Sequence, residues 1–448
     1  MTFHKVRFQC GFSIRPEILN FFLYALIVLF LLPAELCAEE KYLRGNLSQE
    51  WGGHLRLSGS VTWQADDTVY EPAGTGTHFD GSGEFRIKNS LFFGKKAVLE
   101  SHYEAVLSGG HTRKKGREAE RLVPGLPVSG IGSTDDTRRF LDMSSVIEEE
   151  ESCVLHHRMD RLNLTLQADW GTVRIGRQAL TWGNGMLFHP MDLFNPFAPT
   201  DVVRDYKIGD DMITAQFSAG AEAGFQMLYV PRRNPETGDA QWDSSALAGK
   251  YHFSRAGTEF DLMAGRNCRS YVFGLGSTGY MGEAAWRADA VWTFLPKESG
   301  KSGYLSLVAN MDYSWVWQGK NMYGLAEFYY NGLGTGDYEN APADTDLTGA
   351  LERGEIFTLG RLYLAGQVQM EIHPLLNFYI GLITNLTDPS AVCQPRLVWS
   401  LAQNADAIIG GNLYLGGSDT EYGGFRIPGT DFRAEPGHSA CLHLTCYF

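Results

Sequence analysis

The feature that most constrains this chain is a rhythm of connections. Runs with a period of two, bounded by turn residues, recur about 18 times: 51–63, 80–93, 96–108, 160–169, 172–181, 210–219, 223–231, 244–254, 257–266, 270–276, 280–294, 303–317, 320–331, 355–372, 375–386, 391–401, 404–416 and 438–448. Every long connection follows an odd-numbered run: 64–79, 109–159, 182–209, 232–243, 332–354 and 417–437. Even-numbered runs end in tight turns such as Gly94-Lys95, Trp170-Gly171, Ser277-Thr278-Gly279, Gln318-Gly319 and His373-Pro374. A sandwich or propeller has no reason to keep its loops on one side. An up-and-down barrel that crosses a membrane does. The predicted fold is therefore all-β, an antiparallel transmembrane barrel of about 18 strands, with 16 as the alternative if one hairpin is merged or split. Long loops face outward and short turns face the periplasm.

Each run also sorts its residues. Leu162, Leu164, Leu166 and Ala168 alternate with Arg161, Asn163, Thr165, Gln167 and Asp169. Leu99, Tyr103, Ala105 and Leu107 oppose Glu100, His102 and Glu104. Trp286, Ala288, Ala290, Trp292 and Phe294 oppose Arg287 and Asp289. A strand that is apolar on one face only never looks greasy in a window, which explains how 44% hydrophobic residues suffice for a membrane protein. In hydrocarbon a sheet must close on itself to satisfy its backbone, so the apolar face meets lipid and the polar face lines a lumen. At 16–18 strands that lumen is too wide for wall side chains to fill.

Both ends of the chain fit export to an outer membrane. Residues 1–17 carry Lys5, Arg7 and Arg15, an apolar run extends from Ile18 to Leu32, and Leu36-Cys37-Ala38 precedes Glu39. That is the pattern of a signal peptide cut after Ala38. It leaves a short periplasmic segment at 39–50 and a barrel at 51–448. At the other end Ala440, Leu442, Leu444, Cys446 and Phe448 share one face of the last run, the form of the C-terminal signal read by the barrel-assembly machinery. Seven cysteines fall to five on cleavage: Cys153, Cys268, Cys393, Cys441 and Cys446, an odd and scattered set that is no disulfide framework.

Parity places Arg56, Arg86, Lys88, Arg161, Arg174, Lys250, Arg287 and Arg396 inside, with Glu84, Glu100, Glu104, Asp169, Glu259, Asp261, Asp289 and Glu327. The wall is thus near neutral, and the negative excess, −14 for the whole sequence and −15 without the first 38 residues, which carry +1, sits on loops and turns. Two loops stand out. The 109–159 loop begins basic (Arg113, Lys114, Lys115, Arg117, Arg121) and ends acidic (Glu148 to Glu151). It reads as a solvated outer loop, or as one that folds inward or meets anionic lipopolysaccharide. The 182–209 loop packs Trp182, Phe188, Pro190, Phe194, Pro196, Phe197 and Pro199 into one connection. So apolar a loop must pack on something: it constricts the lumen, or it caps the rim. Lys207, with Asp205, Asp210 and Asp211 nearby, sets a charged ring at the mouth or anchors the loop through ion pairs.

The runs Arg158…Asp160-Arg161-Leu162, Gly176-Arg177-Gln178-Ala179-Leu180-Thr181-Trp182-Gly183-Asn184-Gly185, Pro190-Met191-Asp192-Leu193-Phe194-Asn195-Pro196-Phe197-Ala198-Pro199 and Asp205-Tyr206-Lys207-Ile208-Gly209-Asp210-Asp211 resemble a group of porin-like proteobacterial outer-membrane barrels akin to alginate-export channels. The resemblance implies a passive or selective pore without naming a solute. Arg177 shares parity with Val173 and Ile175, so either Gly176 turns it inward at a bulge or it lies at the outer rim. Cys446 departs from the larger apolar residue usual in such C-terminal signals.

The functional expectation is an outer-membrane channel of a Gram-negative bacterium, for small charged or amphipathic solutes. Its lumen and constriction candidates are Arg86, Lys88, Glu100, Glu104, Arg161, Arg174, Arg177, Asp192, Phe194, Phe197, Lys207, Asp210, Asp211, Arg287, Asp289 and Glu327. The rivals are a non-conducting structural barrel and a barrel-embedded hydrolase. The second lacks support, because no spacing ties His54, His102, His156, His157, His189 or His252 to a nucleophile. No cofactor, metal or nucleic acid is implied. The partners are membrane lipid, lipopolysaccharide and the solute itself.

Overall fold

A computed structural model describes residues 41–448 except 45, 66, 67, 69–75, 115, 117–135, 195–205, 221, 430 and 431. The signal segment 1–38, Phe197 and the basic residues Lys115, Arg117 and Arg121 lie outside the described residues.

Eighteen strands close into one antiparallel barrel. They are β1 Leu47–Gln64, β2 Gly76–Phe93, β3 Ala97–Gly110, β4 Cys153–Ala168, β5 Gly171–Gln178, β6 Asp210–Ser218, β7 Ala223–Val230, β8 Ala246–Arg255, β9 Thr258–Asn267, β10 Ser270–Met281, β11 Ala284–Phe294, β12 Gly303–Trp317, β13 Lys320–Asn331, β14 Leu362–His373, β15 Leu376–Asn385, β16 Ser390–Ala402, β17 Ala405–Leu415 and β18 His438–Tyr447. Each strand pairs with its sequence neighbours, and β1 meets β18 along His54↔Tyr447 to Trp63↔His438. Closure leaves no edge in the main ladder. Phe448 completes the seam: its carbonyl accepts from the Gly53 amide at 2.8 Å, and its ring stacks on Phe85. A Cβ on Gly53 would come within 2.6 Å of that ring. Four short strands stand outside the count: Lys41–Arg44 on β1, Ser144–Glu149 on β4, and Phe425–Arg426 paired with Arg433–Ala434. The eighteen-strand reading therefore holds and the sixteen-strand alternative falls away. Among the described residues no helix is long and apolar enough to cross a membrane.

Several strand boundaries differ from the sequence reading. β4 begins at Cys153 and not at 160, and β1 at Leu47 and not at 51, so that Leu47 to Glu50 are strand and not periplasmic segment. Two further differences bear on the interior. The turn expected at Ser277-Thr278-Gly279 is strand, and β10 runs on to Met281 before turning at Gly282-Glu283. The glycines there serve close packing, not a bend. A Cβ on Gly276 would lie 2.8 Å from both Asn184 Nδ2 and Asp289 Oδ1, and one on Gly274 would lie 2.9 Å from Met263. Secondly, 355–361 is loop and β14 begins at Leu362. The loop before it holds helix α1 Thr345–Glu352, capped by Asp344, with Leu347 and Ala350 packed against Tyr304, Leu333 and Ile356.

Aromatic belts mark the barrier. Trp51, Phe93, Trp170 and Trp317 lie exposed near the short turns, and Trp63, Phe79, Tyr271 and Phe294 near the long loops. From Trp51 to Trp63 the strand rises about 40 Å, or about 30 Å vertically at a tilt of ~40°, which matches a hydrocarbon core. Between the belts Leu162, Leu164, Leu166, Ile380, Leu382 and Leu442 point outward.

Candidate functional site

Residues 182–194 of the connection between β5 and β6 lie inside the barrel. Trp182 is buried and donates to Gln226 Oε1 at 2.9 Å. With Met191, Leu193 and Phe194 it packs on Met212, Leu228, Met263, Val272 and Val291, inward residues of β6 to β11. Asn184 then gives Asp289 two bonds, backbone at 2.6 Å and side chain at 2.8 Å. Three successive amides follow on one carboxylate: Met186, Leu187 and Phe188 donate to Glu327 at 2.7, 3.0 and 2.7 Å. Asn310 adds a fourth bond to Glu327 at 3.0 Å. Glu327 is fully buried, and peptide dipoles rather than a cation offset its charge. Phe188 ends the run, stacked on Tyr329 with centroids 4.4 Å apart.

The returning arm rests on the opposite wall. Tyr206 donates to Glu84 and covers the Arg86 guanidinium at 3.7 Å. Around them stands a compact set of ion pairs: Arg86 with Asp160, Arg161 with Asp160 at 2.7 Å, and Arg158 with Glu104 at 2.9 Å. His54 meets Glu84 at 2.7 Å, and Asn163 donates to Glu100 at 3.0 Å. Lys207 pairs with Asp192 within the loop, Asp210 with Arg232 at 2.8 Å, and Asp211 with Arg177 at 3.0 Å. Lys207, Asp210 and Asp211 are thus each held in an ion pair, and Asp205 lies outside the described residues. Burial pushes the Asp192 carboxyl up to about 6 despite Lys207 beside it. Burial, reinforced by Lys207, pushes the His189 imidazole down to about 4.

Arg177 answers neither picture fully. Gly176 takes φ +117°, yet the β4–β5 register runs through it without a shift. β5 ends at Gln178, leaving the wall short beside the longer β4. Residues 136–149 fill that notch. Arg177 binds them at Asp136 (2.6 Å) and the Leu141 carbonyl (2.6 Å), and holds Asp211 as well. Within the same connection Arg113 reaches Glu149 at 2.6 Å, so the basic start of the long loop meets its acidic end.

Of the remaining candidates, Arg174 donates to Thr165 at 2.9 Å and Arg287 pairs with Asp312. Lys88 is exposed on the same wall face as Arg86. Phe194 packs edge-on against Trp182. Sequence parity missed Asp160, the most shielded acid of the set. A bulge opposite His102 and Tyr103 turns consecutive Asp160 and Arg161 both inward. Its signals were two adjacent charges between Met159 and Leu162 and a place in one of the runs that carry the resemblance. Asn184 and Tyr206 stand in the runs that carry the resemblance but with no partner assigned there, and Arg232 left no signal, since their partners are remote in sequence.

No family model matches the chain, and no curated protein matches it by sequence. Solved structures do. OccAB1 of Acinetobacter baumannii is similar with a TM-score of 0.51 at 10% identity, over 92% of this chain and 98% of that one. OccK5 (OpdH) of Pseudomonas aeruginosa gives 0.50 at 7%, over 89% and 98%. Wzi of Escherichia coli, an outer-membrane protein involved in group 1 capsule assembly and described as a carbohydrate-binding β-barrel, gives 0.51 at 9%, over 88% and 84%. These three say nothing of kinship with alginate-export channels. At such identities the likeness establishes the fold alone: this chain folds as an outer-membrane β-barrel of porin type.

Proposed function

We propose that the protein is an outer-membrane channel for passive or selective diffusion of small charged or amphipathic solutes, with the 182–209 loop as its constriction. The observation that carries this is the loop's seat on Asp289 and Glu327, two inward wall carboxylates that fix it across the interior. A solute passing it meets charged groups on one side and aromatic rings on the other, which suits amphipathic cargo better than bulk water. In this reading the chain is exported by its signal peptide into a Gram-negative bacterium's outer membrane and assembled through the strand ending in Phe448. The exposed Lys114 is then placed to meet lipopolysaccharide, whereas Arg113 is buried against Glu149.

A second reading is a closed, surface-structural barrel. It is favoured by the network under the other outer loops, where buried Glu421 accepts from Tyr363 and Asn385, while Asp388 accepts from Tyr338 and the Glu421 amide. Liposome swelling separates the two. Proteoliposomes should swell in isosmotic small sugars and small organic acids at rates that fall with solute size. Vesicles that stay as tight as protein-free ones would favour the closed barrel.

A further inference from the structure

Away from the loop, on the inner wall of β14 to β18, Gln367, Tyr379, Gln394, Arg396, Ile408, Cys441 and His443 line a recess of about 20 Å³. Gly381 and Gly410 keep its floor low. Arg396 sets it apart. Arg86, Arg158, Arg161 and Arg287 each lie on a carboxylate, and Arg56 and Arg174 donate to threonine hydroxyls. Arg396 meets no acceptor among the described residues. Its guanidinium stacks over the Tyr379 ring, 4.6 Å from the centroid, and its Nε is shielded and unpartnered.

A guanidinium held flat on an aromatic ring keeps its in-plane donors for a ligand and has already lost much of its rotamer freedom. An Arg placed this way matches the two oxygens of an oxyanion. Gln367 beside it adds a neutral donor, and Gln394 is held in place by Asn412 at 2.8 Å. The volume admits one small group, not a whole solute.

We propose that this recess is an oxyanion subsite, which takes the carboxylate or phosphate end-group of a solute on Arg396 while the rest of the molecule stays in the lumen. The inference does not require the barrel to conduct, since a closed barrel open at one end would bind the same group.

Cys441, in the recess itself, supplies the test. Refolded full-length protein in detergent is treated with an anionic and, separately, a cationic methanethiosulfonate, and modification of Cys441 is read by peptide mass spectrometry. The sulfonate reagent should react on the order of tenfold faster than the trimethylammonium reagent, because a local positive field concentrates anions. Acetate or inorganic phosphate, but not chloride at equal ionic strength, should slow it. Protection by acetate alone would assign a carboxylate, and by phosphate alone a phosphate. Arg396→Gln should erase both the preference and the protection, while Arg396→Lys should keep the preference. Protection in the unaltered protein stands even if a variant fails to fold. Equal rates without protection would overturn the proposal. So would a Cys441 that reacts with neither reagent, which would mean that solutes do not enter the recess.

Discussion

The two sides of the lumen hold their charges differently. On β1 to β4 the acids Glu104 and Asp160 are matched by arginines of the same wall. On β11 and β13 the acids Asp289 and Glu327 meet no arginine among the described residues; they take backbone amides and Asn184 from the loop, and Asn310 from β12. The first arrangement makes the wall self-sufficient. The second leaves the wall satisfied only while the loop is seated. The loop is thus bound as a ligand would be, and the two walls should fail in different ways.

The largest effect is expected on the self-paired side. Asp160→Ala leaves Arg86 and Arg161 buried with one acid fewer, at a cost of about 3–5 kcal/mol. Urea unfolding in lipid vesicles should show that loss, with single-channel conductance of the folded fraction unchanged. A widened channel would erase the contrast between the walls.

Glu327→Gln reverses the pattern. The amide meets three N–H groups with a neutral acceptor, a loss of about 2–3 kcal/mol that falls on the loop's seat. Conductance should rise or flicker while the unfolding midpoint moves little. A shift in stability without any change in conductance would show that Glu327 supports the wall and not the loop.

A smaller change comes from Phe188→Ala, which removes the stack on Tyr329, worth about 1 kcal/mol beyond the lost area. It should add open-channel noise without a new conductance level.

The subtlest test uses pH. Asp192, at about 6 in the folded loop against 3.8 otherwise, holds its proton more tightly when seated. Its contribution is fullest below about 3.8 and is lost as pH rises through about 6. His189, at about 4 against 6.5, does the opposite: its contribution is present above 6.5 and lost as pH falls through about 4. The two slopes oppose each other between about 4 and 6, so channel noise should vary little there. Asp192→Asn should make the loop loosen on acidification, and His189→Gln should make it loosen on alkalinisation. Parallel behaviour of the two variants would sink this balance.

Much of the barrel was legible because its signal is local. Each strand residue faces lipid or lumen, so Leu162, Leu164 and Leu166 declare their side one by one. Tight turns were legible for the same reason, except where glycine had another task, as Gly276 does beneath Asn184. The loop's position was not legible. Its seat depends on Glu327, 139 residues away from Phe188, and nothing near either residue announces the other. Parity named Asp289 and Glu327 as lumen residues but could not say what they hold. The partners of Arg177 were hidden for a related reason: Asp136 and Leu141 return from a long connection to fill a notch left by the short β5.

The most direct test of the whole account is single-channel conductance in planar bilayers, comparing the unaltered barrel with one lacking residues 184–204. Ohmic steps that grow severalfold on deletion are the predicted result. A barrel that stays silent before and after deletion would contradict it.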